Sequence, residues 1–313
     1  MKAFIINISI VFMLAGVILF SIAVCDATSI KRVNWKLPED TRIIAIGPST
    51  TGCALNEKHI KGFKNLSRIG LEMENIIPLL PRILDENPQI DTVLLSHGRF
   101  QFRRPTNRRW AEGLGLLRDR LPFLLYDVKT TAWKSRIHNV NLYSSLLTPD
   151  FTHRVERRHS LTDFDFGYCA ANRGNLHKIG ADNSIDWYNR HYSEQDSDKF
   201  STKWILENCS INDYWIKRAI AICKERNVVP ILFFTPLYQF HRWCPWYGFC
   251  GYMQYYDPNT LVADYEDFVF PNDSCYSDVH HLSVKGADYF TSYIAAHGIQ
   301  PQTVKDWLIE KGY

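Results

Sequence analysis

Much that would identify a chain of 313 residues is missing from this one. It has no internal repeat and no low-complexity tract, so repeat architectures and tail-like interaction segments are excluded. Its eight cysteines are scattered, and no two of them have the CxxC spacing of a zinc site. No glycine-rich phosphate loop is present, which argues against a flavodoxin-like phosphate binder. The formal net charge of +3 is too small to imply nucleic acid as a partner. Nothing in the residues implies a metal or a cofactor.

Apolar and aromatic residues are plentiful. Some 46% of the chain is hydrophobic, with 16 Tyr, 18 Phe and 9 Trp, enough for one large core with insertions. The run Ala3 to Val24 carries no charge and only Asn7, Ser9 and Ser21 as polar interruptions. A membrane-spanning helix needs about 20 such residues. The run exceeds the core of a signal peptide, which favours an uncleaved anchor over a cleaved signal at residues 1–25. A lipoprotein signal ending at Cys25 is disfavoured by Val24, which is not small. Lys31, Arg32 and Lys36 lie beyond the run and leave the charge rule for orientation equivocal. The expectation is a cell-envelope protein with its domain outside the cytoplasm, in the periplasm, after a polar linker to about residue 40. Export permits disulfides. Cys244 and Cys250, bracketing CPWYGFC, are the local candidates, with free buried cysteines as the alternative.

Along the chain, apolar runs at Arg42 to Ile46, Phe63 to Ser67, Thr92 to Ser96 and Val228 to Phe234 read as strands, with an edge strand at Val262 to Phe268. Helical spacing is found at Met73 to Asn87, disturbed by Pro78 and Pro81, and at Ser201 to Arg226, Ser283 to His297 and Gln302 to Ile309. The fold class is therefore α/β with a mainly parallel sheet. Two stretches break the rhythm, at about 98–200 and 240–260, and read as insertions over the carboxyl edge of the sheet. The first opens with Arg99, Arg103, Arg104, Arg108 and Arg109, which suit an anionic substrate, a solvated face or contacts with acidic loops. The aromatics of both insertions suit either sugar stacking or core.

Two short segments carry the chemistry. The first, IIAIGPSTTG from Ile43 to Gly52, puts Ser49 between a buried strand and a helix start. Open α/β sheets bind ligands at that edge. Free amides at the helix start would stabilise an oxyanion there. Taken alone, the stretch is a strand-to-helix turn with Ser49 as the N-cap. The second, SDVHHLSVKG from Ser277 to Gly286, sets Asp278 three residues before His281. At that spacing in a turn Asp278 fixes the ring, and His281 serves as general base to a serine. Taken alone, it is a capping Asp with a surface His. His280 is the alternative base.

Together, Gly-x-Ser after the first strand and DxxHL before the last core helix resemble the SGNH (GDSL-like) hydrolase family. GPSTTGCALN, Gly47 to Asn56, and HLSVKGA, His281 to Ala287, look like the exported, membrane-anchored SGNH-like proteins of Bacteroidetes. The resemblance implies a three-layer α/β/α flavodoxin-like fold, with Ser49 as nucleophile, His281 as base and Asp278 as the residue that orients it. It implies an oxyanion hole from the Ser49 amide, the Gly70 amide and a third donor after strand three. The family has an asparagine there, where this chain has His97-Gly98, so the His97 ring or the Gly98 amide would substitute. Pro48 also departs from the family pattern. Loss of one oxyanion donor costs roughly 10²–10³ in rate. The implied activity is a serine esterase or O-acyltransferase on acylated envelope or exported polysaccharide, with a membrane acyltransferase as a possible partner. The alternative is a non-catalytic module that binds glycan or an envelope partner.

Overall fold

In a computed structural model of the chain, the residues described are 6–18, 21, 33–68, 73–102, 167–170, 201–238, 246–278 and 280–313. The chain divides into two compact units, residues 1–34 with 110–164, and residues 35–109 with 165–313. In the first unit, residues 6–18 are helical, and Val11, Phe12 and Met13 are each about two-thirds exposed or more. Among the described residues no helix is long and apolar enough to cross a membrane. The remainder of the Ala3 to Val24 run lies outside the described residues, apart from Ser21.

The second unit holds the sheet. Its strands are β1 (Ile43–Ile46), β2 (Phe63–Asn65), β3 (Thr92–Ser96), β4 (Val229–Phe234), β5 (Leu261–Asp264) and β6 (Gln302–Thr303). They lie in the order β2-β1-β3-β4-β5-β6. The first five are parallel, and β6 alone is antiparallel, on β5. The order 2-1-3-4-5 reverses direction between β1 and β3, and doubly wound sheets bind ligands in the crevice at such a point. The edge strand was expected at Val262 to Phe268. It is shorter, and β6 covers it.

The helices are α1 (Ser49–Ala54), α2 (Met73–Ile76), α3 (Leu80–Glu86), α4 (Thr202–Asn208), α5 (Ser210–Glu225), α6 (Trp246–Met253), α7 (Val284–His297) and α8 (Val304–Glu310). The Met73 to Asn87 helix is broken where its prolines predict, by a 3-10 turn over Ile77–Leu79. Cys209 likewise divides the expected Ser201 to Arg226 helix into α4 and α5. After α5, Asn227 takes φ 57°, the left-handed position that ends a helix and tolerates asparagine.

Strand alternation splits the core in two. Ala45, Leu94, Ile231, Phe233 and Ala263 cluster with Ala54 of α1, with Leu55 just after it, and with Ala287, Phe290 and Ile294 of α7. On the other side Phe234 packs edge-on against Phe249 of α6 and Trp307 of α8. The architecture is α/β with a mostly parallel mixed sheet, compatible with three layers.

One expectation needs correction, and three open alternatives close. The linker does not extend to residue 40, because Trp35 and Leu37 are buried. Asn87 holds them, donating from Nδ2 to the Trp35 carbonyl and accepting the Leu37 amide at Oδ1, each at 2.7 Å. In the 240–260 insertion Phe249, Tyr252 and Tyr256 serve as core, whereas Tyr247 and Tyr255 are exposed. Cys250 is a free buried thiol, with its pKa pushed by burial up to about 11. Its proposed partner Cys244 lies outside the described residues. Of the arginine cluster only Arg99 is described. It is buried and committed to Glu266, so it is closed to an anionic substrate.

Candidate active site

The turn that carries Ser49 is built by the ends of three strands. β1 leads into Gly47 and Pro48, and α1 begins at Ser49. The Gly47 carbonyl accepts the Arg68 amide beyond β2 at 3.2 Å. On the other side the turn meets the end of β3. A Cβ on Gly47 would lie 2.3 Å from Ser96 Cβ and 2.7 Å from Thr51 Oγ1, so only glycine fits. Ser49 is not the helix cap. Pro48 holds the cap position in extended backbone, and no side chain caps the helix. The Ser49 hydroxyl is thereby released from a capping role, and its amide stands in the first turn, where N–H groups have no intrahelical acceptor.

The histidine arrives on a closed turn before α7. Tyr276 pairs with Leu282 as an isolated antiparallel bridge, and the Ser277 amide donates to the His281 carbonyl at 2.8 Å. Ser283 caps α7 by accepting the Gly286 amide at 3.2 Å, and its own hydroxyl donates to the Ser274 carbonyl at 2.7 Å. Gly286 lets the helix press onto Cys275, whose carbonyl oxygen lies 1.9 Å from where a Cβ would stand.

The two segments are joined through α1 and α7. Thr291 Oγ1 donates to the Ala54 carbonyl at 3.2 Å and accepts the Asn56 amide at 3.0 Å. Asn56 Nδ2 donates to Asp288 Oδ1 at 2.6 Å. These bonds fasten the end of the serine helix to the middle of the helix that follows the histidine.

At the meeting point three side chains form a continuous hydrogen-bonded chain. Ser49 Oγ lies 2.8 Å from His281 Nε2. His281 Nδ1 lies 2.8 Å from Asp278 Oδ2 and 3.0 Å from Oδ1. Asp278 Oδ1 also accepts the backbone amides of His280 at 2.8 Å and His281 at 2.9 Å. Burial pushes the Asp278 carboxyl up, but the His281 ring and the His280 amide outweigh it and hold the group down at about 2. It is therefore a carboxylate, an acceptor only, and it selects the tautomer with the proton on Nδ1 and a lone pair on Nε2 facing the serine. His280 meets Asp278 through its backbone amide, and no bond between its ring and Ser49 is formed.

The expected oxyanion donors fare differently. The Ser49 amide is at the turn. Gly70 lies outside the described residues. The His97 ring is not at the turn: it is 2% exposed and packed among Phe102, Phe234 and Phe249. Gly98 takes φ +136°, and a Cβ there would lie 2.5 Å from Glu266 Oε1. Beside the turn, Gln101 Nε2 donates to Ser96 Oγ at 2.9 Å and so brings a buried carboxamide to the end of β3. The sequence gives no signal for this residue beyond its place after a strand.

No protein-family model, curated protein or solved structure matches this chain.

Proposed function

We propose that the chain is a serine esterase or O-acyltransferase of SGNH type, anchored by its N-terminus with the domain outside the cytoplasm. The observation that carries this reading is the Ser49–His281–Asp278 chain, with both links at 2.8 Å, at the carboxyl edge of a doubly wound sheet.

In this reading Ser49 Oγ attacks an ester carbonyl while its proton passes to His281 Nε2. The imidazolium is stabilised by Asp278 through Nδ1. The tetrahedral oxyanion forms against the Ser49 amide. Collapse breaks the ester C–O bond, and the proton on Nε2 goes to the leaving alkoxide. The acyl-enzyme is then resolved by water in hydrolysis, or by a sugar hydroxyl in transfer, with His281 again taking the proton. The substrate class, acylated envelope or exported polysaccharide, and an association with a membrane acyltransferase rest on the family resemblance.

A second reading, a non-catalytic module that binds glycan or an envelope partner, is favoured by one observation. The His97 ring, offered as a replacement oxyanion donor, is sequestered in the core. Fluorophosphonate labelling of the purified protein, read by intact mass, separates the two. A single adduct on the wild type that is absent from Ser49→Ala and His281→Ala supports the hydrolase. A folded protein that gains no adduct supports the binding module.

A further inference from the structure

Residues 167–170, far along the first insertion, lie against the nucleophile helix. The Gly167 amide donates to the Ser67 carbonyl and the Cys169 amide to the Gly52 carbonyl, both at 3.0 Å. Gly52 immediately precedes Cys53, so the second bond sets Cys169 beside a cysteine 116 positions earlier. Cys53 is 2% exposed, whereas Cys169 is half-buried, and both are in the thiol form. No sequence spacing connects them. Two main-chain bonds do.

We propose that Cys53 and Cys169 are a disulfide site that clamps residues 167–169 of the insertion onto the helix carrying Ser49. Burial first, and the neighbouring Cys169 second, push Cys53 up to about 12. The Asp278 carboxylate raises it further. A thiol so strongly protonated does not start the exchange. Cys169, the more accessible sulfur, attacks an external disulfide and releases one thiol of that oxidant. Cys53 Sγ then loses its proton and attacks Cys169 Sγ in the mixed disulfide. The Cys53–Cys169 bond forms, and the second half of the oxidant leaves as a thiolate that takes up the proton. Two thiols are oxidised and one disulfide is reduced to two thiols. The oxidant is thus any dithiol-generating disulfide, such as oxidised glutathione or the disulfide form of an oxidoreductase in an exporting compartment. The bond closes a loop from residue 53 to residue 169, which takes in most of the first insertion, and such long loops are where a cross-link most restricts the unfolded chain. The site stands apart from the hydrolase reading, because thiols are counted without reference to activity.

The test uses the full-length protein equilibrated with oxidised glutathione, then denatured and alkylated with N-ethylmaleimide before and after reduction. The expected result is one cross-linked peptide joining Cys53 to Cys169, with both sulfurs alkylated only after reduction. Reduction also lowers the thermal midpoint of the wild type, whereas Cys169→Ala has no cross-link and a midpoint indifferent to reductant. Because Cys53 is buried, Cys169→Ala is the informative variant. The proposal is overturned if both cysteines are alkylated without reduction, if Cys169 stops at a glutathione adduct, or if it is joined to a different cysteine.

Discussion

His281 Nε2 stands 2.8 Å from Ser49 Oγ, although 232 positions separate the two residues in the chain. A base at that distance acts only with its nucleophile, so the two should fail as a unit. Ser49→Ala and His281→Ala are each expected to lower ester turnover by roughly 10⁴-fold or more, and the double variant by about the same factor as either single one. Turnover of an activated aryl acetate by the three variants checks this. Losses that multiply in the double variant would mean that the residues act independently and that the hydrogen bond is incidental.

Asp278→Asn tests the orienting carboxylate. An asparagine that turns its amide N–H toward Nδ1 stabilises the other tautomer, with a proton on Nε2 facing Ser49. The expected loss in turnover is roughly 10⁴-fold with the fold retained. The pH dependence has a definite sign. The folded-state pKa of about 2 lies below the ordinary carboxylate value, so the contribution of Asp278 to stability is present above about 4 and is lost as pH falls towards 2. Urea midpoints of wild type and Asp278→Asn should therefore converge at acid pH. A constant difference between them down to pH 2 would contradict the assignment.

Gly47→Ala should damage the site without touching its chemistry. The added Cβ would fall 2.3 Å from Ser96 Cβ, so the turn must move away from β3. The cost is expected at about 1–3 kcal/mol in urea unfolding. Fluorophosphonate labelling should slow by more than the stability loss explains, because Ser49 is two residues away.

The sequence signals that succeeded were local ones. Continuous apolar runs such as Ile43–Ile46 and Thr92–Ser96 marked the buried parallel strands, and Pro78 marked the broken helix. β6 was invisible, because Gln302–Thr303 is two polar-edged residues with no period and pairs only because β5 offers an edge. Ser49, Asp278 and His281 were legible as two motifs. The clasp that joins them was not, since Asn56 and Thr291 are ordinary polar residues that meet 235 positions apart. The role of Arg99 stays open in the sequence for the same reason. Its local context is a basic cluster, but its partner Glu266 lies 167 residues on.

Arg99 and Glu266 form a buried pair, with Arg99 Nε 2.6 Å from Oε2 and the Arg99 amide 2.7 Å from Oε1. Burial pushes Glu266 up to about 7 against the opposing pull of Arg99. Arg99→Met removes that pull and leaves an unpaired buried carboxyl, at an expected cost of about 3–5 kcal/mol. Without the arginine the folded-state pKa rises further. The variant should then lose stability progressively as pH is raised above about 4, where the unfolded chain ionises freely. Arg99→Met with Glu266→Met should recover part of the loss and abolish that slope. Chemical unfolding across pH reads both effects.

His97 makes the last case, and its window is distinct. Among the described residues neither ring nitrogen has a hydrogen-bond partner, and the ring lies edge-on to Phe102 at 5.4 Å. Burial first, and the positive charge of Lys217 second, push its pKa down to about 3. The folded state thus refuses a proton that the unfolded chain accepts near 6.5. Stability from this residue is complete above about pH 6.5 and is lost as pH falls towards 3, by on the order of 4 kcal/mol in total. His97→Phe fills the same aromatic site with no polar atom to strand. It should match or exceed the wild type at pH 7 and outlast it at pH 4. If the His97 ring instead supplied the oxyanion donor, His97→Phe would lower turnover by roughly 10²-fold or more. Unchanged turnover together with a flatter acid limb is the outcome that this packing requires.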